Sequence, residues 1–307
     1  MMARDDRIEL MLDQMRVAWM PEGEGVEAGR GAFEAVARLF PEPAGVVEET
    51  MLLGGVQAIT AAPRDGLDDD APMILYLHGG AFLIGSAAIY REQSARLATA
   101  ANARTVTLDY RLAPEHPYPA ALDDTVNAFL ALTERGVQPG RIVIAGDSAG
   151  GNLALAGSMR LRDFGQPLPA GLVLLSPWVD LSCSGKSMET NANPRHLAQR
   201  QGLLESASAY LAGEPARSPL ASPLFGALTQ LPPVLIQVGS LETLLDDSRE
   251  LARRASAASA NVRLQIFDDM IHEWHLLSAL LPSDQPLEEA KQAVEGIGKF
   301  IREVTAQ

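Results

Sequence analysis

The sequence has a single cysteine, Cys183, among 307 residues. One thiol cannot close an intrachain disulfide, so nothing indicates an oxidising compartment. No apolar run approaches the roughly 20 residues that a membrane-spanning helix needs. Residues 4–9 are mostly charged and no uninterrupted apolar segment follows them, which is not the pattern of a secretory signal. These absences predict a soluble, cytoplasmic protein.

Basic residues are also few. Lys and Arg number 25 against 39 Asp and Glu, which gives a formal net charge of −14. Because nucleic acids and anionic membrane surfaces attract clustered positive charge, this balance argues against both as partners. There is no internal repeat and no low-complexity segment. With 47% hydrophobic residues, the chain can bury a sizeable core, in one large α/β domain with an insertion or in two small domains.

Strand and helix patterns alternate through most of the chain. Short apolar runs predict strands, and longer amphipathic segments predict the helices between them. Such alternation predicts an α/β fold with a mostly parallel central sheet and helices on both faces. The predicted strands are Met73–Leu77, 105–108, 141–145, Gly171–Leu175, 234–238 and Val262–Phe267, and the predicted helices are 89–101, 120–132, 152 onward, 242–258 and 287–304.

Two segments do not fit this alternation. The N-terminal segment carries two amphipathic helical patterns, and a later segment has no strand pattern and one predicted helix, 203–211. We expect both to form a helical cap over the carboxyl edge of the sheet, where open α/β sheets bind ligands. The expected division is N-terminal cap helices at residues 1–45, the first part of the main α/β domain at 46–181, a cap insertion at 182–227 and the second part of the main domain at 228–307. Apolar residues of the cap could roof a closed pocket: Met11, Met15, Trp19, Leu203, Leu204 and Leu211.

The most informative segment is GDSAG at residues 146–150, which matches the pattern G-x-S-x-G between a strand and a helix. A serine at that junction is held on a sharp turn, with its hydroxyl exposed and a helix N-terminus beneath it. The flanking glycines let two elements approach closely. This geometry makes Ser148 nucleophilic if a base and an oxyanion hole are also present. Without them, the segment is a strand–helix turn with an N-capping serine.

A second motif, HGGAF, occupies residues 78–82 directly after the strand Met73–Leu77. Acyl transfer develops negative charge on the carbonyl oxygen, and backbone N–H groups aimed at that oxygen stabilise it. A loop of this type, together with the residue after the nucleophile, forms an oxyanion hole. The expected donors are Gly80, Ala81 and Ala149, with Gly79 shaping the loop. The alternative is an ordinary turn at the end of a strand.

The general base must be one of five histidines. His272 lies in the loop after the strand Val262–Phe267, where the chain order serine, acid, histidine places the base. His275, three residues further on, is the nearest alternative. The other three are expected to hold the oxyanion loop or to lie at the surface: His78, His116 and His196.

The acid that orients the imidazole is expected in a loop after an earlier strand. Glu242 stands at the end of the loop that follows the strand 234–238. Asp246 and Asp247 fall inside the next helix, where carboxylates commonly face solvent or interact with the helix dipole. We therefore predict Glu242 as the acid and keep Asp246 as the alternative.

Metal and cofactor patterns are missing. The acidic run 68–70 fits a turn before a strand, and no oxygen-ligand spacing continues from it. His272 and His275 are spaced i, i+3, but no nearby cysteine or third histidine completes a zinc site. No dinucleotide fingerprint follows a strand. We expect neither a metal nor a cofactor.

Motifs spread through most of the chain resemble those of bacterial hormone-sensitive-lipase-like esterases of the α/β-hydrolase superfamily: the HGGA loop, 109–117, GDSAGG at 146–151, ETL at 242–244 and MIH at 270–272. The resemblance implies carboxylesterase activity on short acyl chains, with Ser148 as nucleophile, Glu242 as acid and His272 as base. Two positions depart from the family pattern. The last position of the HGGA loop is often glycine in the family, whereas here it is Ala81. The acid is often aspartate in the family, whereas the matching residue here is Glu242.

Other functions remain open. Plant gibberellin receptors resemble this family but have lost the catalytic histidine, whereas this chain has His272 and Ser148. An amidase or a lactonase would use the same residues. The GDS segment also resembles chymotrypsin-like proteases, whose all-β fold the alternation excludes. The expected partner is a small-molecule ester, and a homodimer stays open.

Overall fold

A computed structural model describes residues 4–15, 25–68 and 70–306, and these form an eight-stranded sheet. The order across the sheet is β1-β2-β4-β3-β5-β6-β7-β8. β1 and β2 pair antiparallel, β2 pairs antiparallel with β4, and all other neighbours are parallel. The predicted fold class is therefore confirmed. The strands are β1 Val46–Leu53, β2 Val56–Pro63, β3 Met73–Leu77, β4 Arg104–Leu108, β5 Ile142–Asp147, β6 Gly171–Leu175, β7 Val234–Gly239 and β8 Val262–Phe267.

Helices connect the parallel strands. The chain moves one way along the sheet from β3 to β4 and the other way from β4 to β5, so right-handed crossovers put the two connecting helices on opposite faces. No helix of the described ranges is long and apolar enough to cross a membrane. The helices are α1 Arg4–Met15, α2 Gly25–Ala37, α3 Arg91–Ala101, α4 Ala120–Glu134, α5 Ala149–Asp163, α6 Ser187–Thr190, α7 Arg200–Leu211, α8 Leu245–Ala257, α9 Trp274–Leu277 and α10 Glu288–Thr305.

The central strands form the middle of the core. Every residue of β5, β6 and β7 is buried, because helices cover both faces of the parallel sheet. Complete burial of a Val, Leu or Ile side chain stabilises the fold by about 1.5–3 kcal/mol relative to exposure. This burial explains why these strands appear in the sequence as continuous apolar runs.

The sequence interpretation did not include the hairpin of β1 and β2. A two-residue turn, Gly54-Gly55, joins the strands, and both glycines have positive φ, 61° and 96°. That is the conformation a tight hairpin turn requires. β1 lies at the edge of the sheet, and only its end residues, Val46 and Leu53, are buried, so no continuous buried run marks it. The Gly-Gly pair between the two strands was the available signal.

The N-terminal helices contact loops at the carboxyl edge of the parallel strands. Arg30 of α2 donates to the carbonyls of Leu83, at 2.9 Å, and Ala113, at 3.0 Å, in the loops after β3 and β4. Arg4 of α1 pairs with Asp269, after β8. These contacts place α1 and α2 at the edge where the sequence motifs converge.

The segment 182–227 contacts the same edge. Tyr210 of α7 stacks on Phe82, with ring centroids 3.8 Å apart. Thr243, in the loop after β7, donates to the carbonyl of Ala198 at 2.6 Å. Met11, Leu203 and Leu211 are buried and Leu204 is partly buried, whereas Trp19 and the side chain of Met15 lie outside the described residues. The assignment of residues 1–45 and 182–227 to a cap stays a prediction.

Candidate active site

Ser148 occupies the sharp turn between β5 and α5. Its backbone has φ 51° and ψ −116°, a conformation that costs a non-glycine residue about 1–3 kcal/mol and that surrounding structure must stabilise. The Ser148 N–H donates to the carbonyl of Leu175 at 2.9 Å. A Cβ on Gly150 would lie 1.9 Å from the carbonyl oxygen of Leu77. The turn therefore packs directly on the end of β3, and the glycine is required by space.

We expect Gly150→Ala to destabilise the protein by about 1–3 kcal/mol and to displace Ser148, because the new methyl group overlaps the backbone of β3. Gly202→Ala is the matched control, since Gly202 is also helical and a methyl group added there would meet no atom within 4 Å. The control should be neutral or more stable by up to about 1 kcal/mol. Urea unfolding measures both variants, and equal stabilities would contradict the packing argument.

The HGGAF loop turns its backbone with three consecutive positive φ angles: 113° at Gly80, 53° at Ala81 and 65° at Phe82. Within the described ranges, the N–H groups of Gly80 and Ala81 have no acceptor. The Ala149 N–H begins α5, so it has no intrahelical partner. The Gly79 N–H donates to the hydroxyl of Tyr90 at 3.1 Å. Three predicted donors are thus unengaged, and Gly79 is used inside the loop.

His272 and Glu242 are in direct contact. The Nδ1 atom of His272 lies 2.7 Å from Oε2 of Glu242, and both residues are at most 5% exposed. The other carboxylate oxygen accepts the hydroxyl of Ser176 at 2.7 Å and the N–H of Gly239 at 2.5 Å. A carboxylate beside Nδ1 favours the tautomer with the proton on Nδ1. Nε2 is then free to accept a proton.

The alternative histidines have other partners. Nε2 of His275 lies 3.0 Å from the amide oxygen of Gln237, and burial, followed by nearby Arg96 and His272, lowers the pKa of His275 well below its usual value. His78 donates from Nδ1 to the carbonyl of Gly79 at 2.7 Å, and burial lowers its pKa. His116 is exposed and His196 is half-buried.

The alternative carboxylates also lie in other contacts. Asp246 accepts the N–H of Ser187 at 3.0 Å and pairs with Arg249. Asp247 accepts the N–H groups of Val179 and Asp180 at 2.9 and 3.0 Å. Glu242 is therefore the carboxylate that contacts His272 among these three candidates. Asp70 of the acidic run pairs with Arg141, and Asp69 is outside the described residues.

A buried network around Asp147 was not part of the sequence interpretation. The carboxylate of Asp147 accepts the hydroxyls of Tyr76 at 2.7 Å and Tyr90 at 2.8 Å. Burial is the main cause that raises the pKa of both tyrosines well above the usual value, so both remain donors. Because Tyr90 also accepts the Gly79 N–H, it joins the serine turn to the oxyanion loop. Asp147 lies inside the motif, but its partners come from β3 and the residue before α3.

Comparison with known proteins places this site in a family. A model described as the α/β hydrolase fold matches residues 74–276. An acetyl-hydrolase of Streptomyces hygroscopicus is 39% identical over 300 residues, which cover 98% of this chain and 97% of that protein. An esterase of Acinetobacter venetianus is 36% identical over 88% of this chain and 87% of its own length.

Solved structures of esterases are also similar to this chain over nearly its whole length. The crystal structure of an esterase from the bacterial hormone-sensitive lipase family superimposes with a TM-score of 0.91 at 39% identity, covering 99% of this chain and all of the other. EstE5, in a crystal soaked with p-nitrophenyl butyrate, gives a TM-score of 0.90 at 38% identity over 99% of this chain and 100% of that one. The chain therefore belongs to the α/β hydrolase fold family. Its expected resemblance to bacterial hormone-sensitive-lipase-like esterases is confirmed, and these names agree with the predicted class of carboxylic ester hydrolase.

Proposed function

We propose that this protein is a serine carboxylesterase that hydrolyses short-chain acyl esters through an acyl-enzyme intermediate. The observation that carries the proposal is the buried contact between His272 and Glu242, at the same edge of the sheet as the strained Ser148 turn and the unengaged N–H groups of the oxyanion loop. The esterase and acetyl-hydrolase names of the relatives support the same reaction class.

In the proposed first step, Ser148 Oγ attacks the ester carbonyl while Nε2 of His272 takes the hydroxyl proton. The N–H groups of Gly80, Ala81 and Ala149 stabilise the oxyanion, and one such donor is worth about 2.7–4 kcal/mol in known enzymes. Glu242 stabilises the imidazolium. The proton then passes from Nε2 to the leaving alcohol as the C–O bond breaks.

In the proposed second step, water attacks the acyl-enzyme. His272 takes a proton from the water and returns it to Ser148 Oγ as the carboxylic acid leaves. No electron acceptor, metal or cofactor is required by this sequence of steps. An amide or a lactone would pass through the same kinds of intermediate. Assays with different substrates are therefore needed to decide which leaving group the protein accepts.

The acyl chain is expected to be short. Ser148 and His272 are 4% and 5% exposed, and α1, α2 and α7 contact loops at the same edge of the sheet. We therefore expect a long acyl chain to find no open apolar face beside Ser148 among the described residues. We expect kcat/KM for p-nitrophenyl esters to be highest between acetate and hexanoate and to fall by about tenfold or more at palmitate. A series of esters measured below and above the critical micelle concentration checks this result.

Turnover that peaks at palmitate, or a rate that rises above the critical micelle concentration, would contradict the closed pocket and favour a lipase. p-Nitroacetanilide is the control for the leaving group, because it has the same acetyl group and an amide bond. Comparable kcat/KM for the amide and for the acetate ester would favour the amidase alternative. No turnover of any of these substrates by a folded protein would favour a ligand-binding function.

A further inference from the structure

A second carboxyl group lies at the catalytic face of the proposed base. Oε1 of Glu273 is 3.3 Å from Nε2 of His272, the atom that handles the proton in the proposed mechanism. Glu273 has a positive φ of 65°, which is uncommon for a non-glycine residue, and is 9% exposed. Within the described residues, His272 is its only ion-pair contact. A buried acid without a Lys or Arg partner requires another source of stabilisation.

The charge of Asp147, the residue before Ser148, and a hydrogen bond to its carboxyl group both raise the pKa of Glu273, after burial as the main cause. Two carboxyl groups can share a hydrogen bond only if one of them carries a proton. The hydroxyls of Tyr76 and Tyr90 both donate to Asp147 and stabilise its charged form. The proton of the pair therefore belongs on Glu273.

The surroundings of Glu273 favour the same protonation state. Burial is the main cause that raises the pKa of Glu273 well above its usual value, followed by the charge and hydrogen bond of Asp147 and the charge of Glu242. The other titratable groups that face it are His272, Tyr76 and Tyr90. The nearby cation, Arg96, acts on Tyr76 and on His275.

We propose that Glu273 is a positioning residue that acts through His272, as a neutral carboxyl that shares its proton with Asp147 and leaves Nε2 unprotonated for Ser148. This inference rests on the proposed function. The competing arrangement has the proton on Nε2 and a carboxylate on Glu273, and such an ion pair would remove the base. It would also place two carboxylates in contact at Asp147, which a buried site disfavours.

Ionisation of Glu273 should slow the reaction. The imidazolium must give its Nε2 proton to the leaving alcohol, and a carboxylate at Glu273 would compete for that proton. Below the pKa of Glu273 the carboxyl is neutral and does not compete for the Nε2 proton of His272. Above that pKa the carboxyl is charged and activity falls. We therefore expect the fall of kcat at alkaline pH to follow the loss of the Glu273 proton. Because this group interacts with titratable neighbours, the apparent pKa belongs to the coupled set of groups.

The test compares pH profiles of kcat for p-nitrophenyl acetate in the wild type, Glu273→Gln, Glu273→Leu and the control Glu295→Gln on the exposed face of α10. Glutamine keeps an N–H donor to Asp147 and has no proton to lose. We expect it to retain kcat within about threefold at neutral pH and to move the alkaline decline up by about one pH unit or more. Glu273→Leu should lose about tenfold or more, and the control should match the wild type.

An alkaline decline that coincides in the wild type and in Glu273→Gln would overturn the proposal. A second readout does not depend on activity. The infrared difference spectrum between wild type and Glu273→Gln at neutral pH should contain the C=O band of a protonated carboxyl, shifted in D2O. A carboxylate band in its place would also overturn the proposal. A Ser148→Ala variant that retains esterase activity would instead remove the proposed function and leave this spectroscopic result interpretable.

Discussion

Replacing Ser148 by alanine is expected to lower kcat for short-chain esters by about 10⁴ to 10⁶, because the acyl-enzyme can no longer form. The substitution removes one oxygen atom from a turn whose backbone contacts involve the N–H and carbonyl of this residue. Alanine has the same backbone cost at φ 51° as serine, so the free energy of unfolding should change little. Steady-state kinetics with p-nitrophenyl acetate and urea unfolding measure the two quantities.

Residual activity within tenfold of the wild type would contradict this mechanism. Ser158→Ala is the control substitution, since Ser158 is a buried serine of α5, the helix that begins directly after Ser148, and lies ten residues beyond the nucleophile. The control should keep kcat within about threefold, as expected for a substitution away from the reacting atoms. A loss of activity in both variants would indicate damage to α5 rather than removal of a nucleophile.

The second large effect separates the acid from its sequence alternative. Glu242→Ala should lower kcat by about 10⁴, because Glu242 holds the tautomer of His272 and stabilises the imidazolium. Asp246→Ala should leave kcat within about threefold, since Asp246 accepts the N–H of Ser187 and pairs with Arg249. Kinetics on both variants, with circular dichroism to establish that each is folded, gives the comparison.

Glu242 also accepts hydrogen bonds from Ser176 and Gly239, so its removal leaves two buried donors without a partner. Glu242→Gln is the milder variant, because one carboxylate oxygen accepts both hydrogen bonds and an amide oxygen in its place can still accept both. It should remain folded and still lose about 10³ or more in kcat, since an amide carries no charge to stabilise the imidazolium. If Asp246→Ala is the more damaging of two well-folded variants, the assignment of the acid is wrong.

The strands that could be predicted from the sequence are those whose residues are buried on both faces of the sheet. β5, β6 and β7 are buried on both faces, so each one is a continuous apolar run. β1 is a half-exposed edge strand and has no such run, which is why the hairpin was missed. The helix of 242–258 begins at Leu245 in the structure, and 242–244 belong to the loop that carries Glu242.

The residues of the candidate site also fall into those that could be predicted from the sequence and those that could not. Ser148, Glu242 and His272 occur in short motifs, so chain order and residue type were enough to nominate them. The groups around Asp147 could not be nominated, because Tyr76 and Tyr90 are far from it in sequence and look like ordinary core residues. Ser176 and Glu273 could have been found by one signal each. Ser176 follows the predicted strand Gly171–Leu175, and Glu273 follows His272 directly.

The central claim is that Ser148 carries the acyl group during turnover. The most direct measurement mixes the protein with p-nitrophenyl acetate, quenches it in acid within milliseconds and analyses the peptides by mass spectrometry. We predict one acetyl group on the peptide that contains Ser148, formed together with a burst of about one equivalent of p-nitrophenol, and neither signal in Ser148→Ala. An acetyl group on another residue, with normal turnover in Ser148→Ala, would contradict this claim.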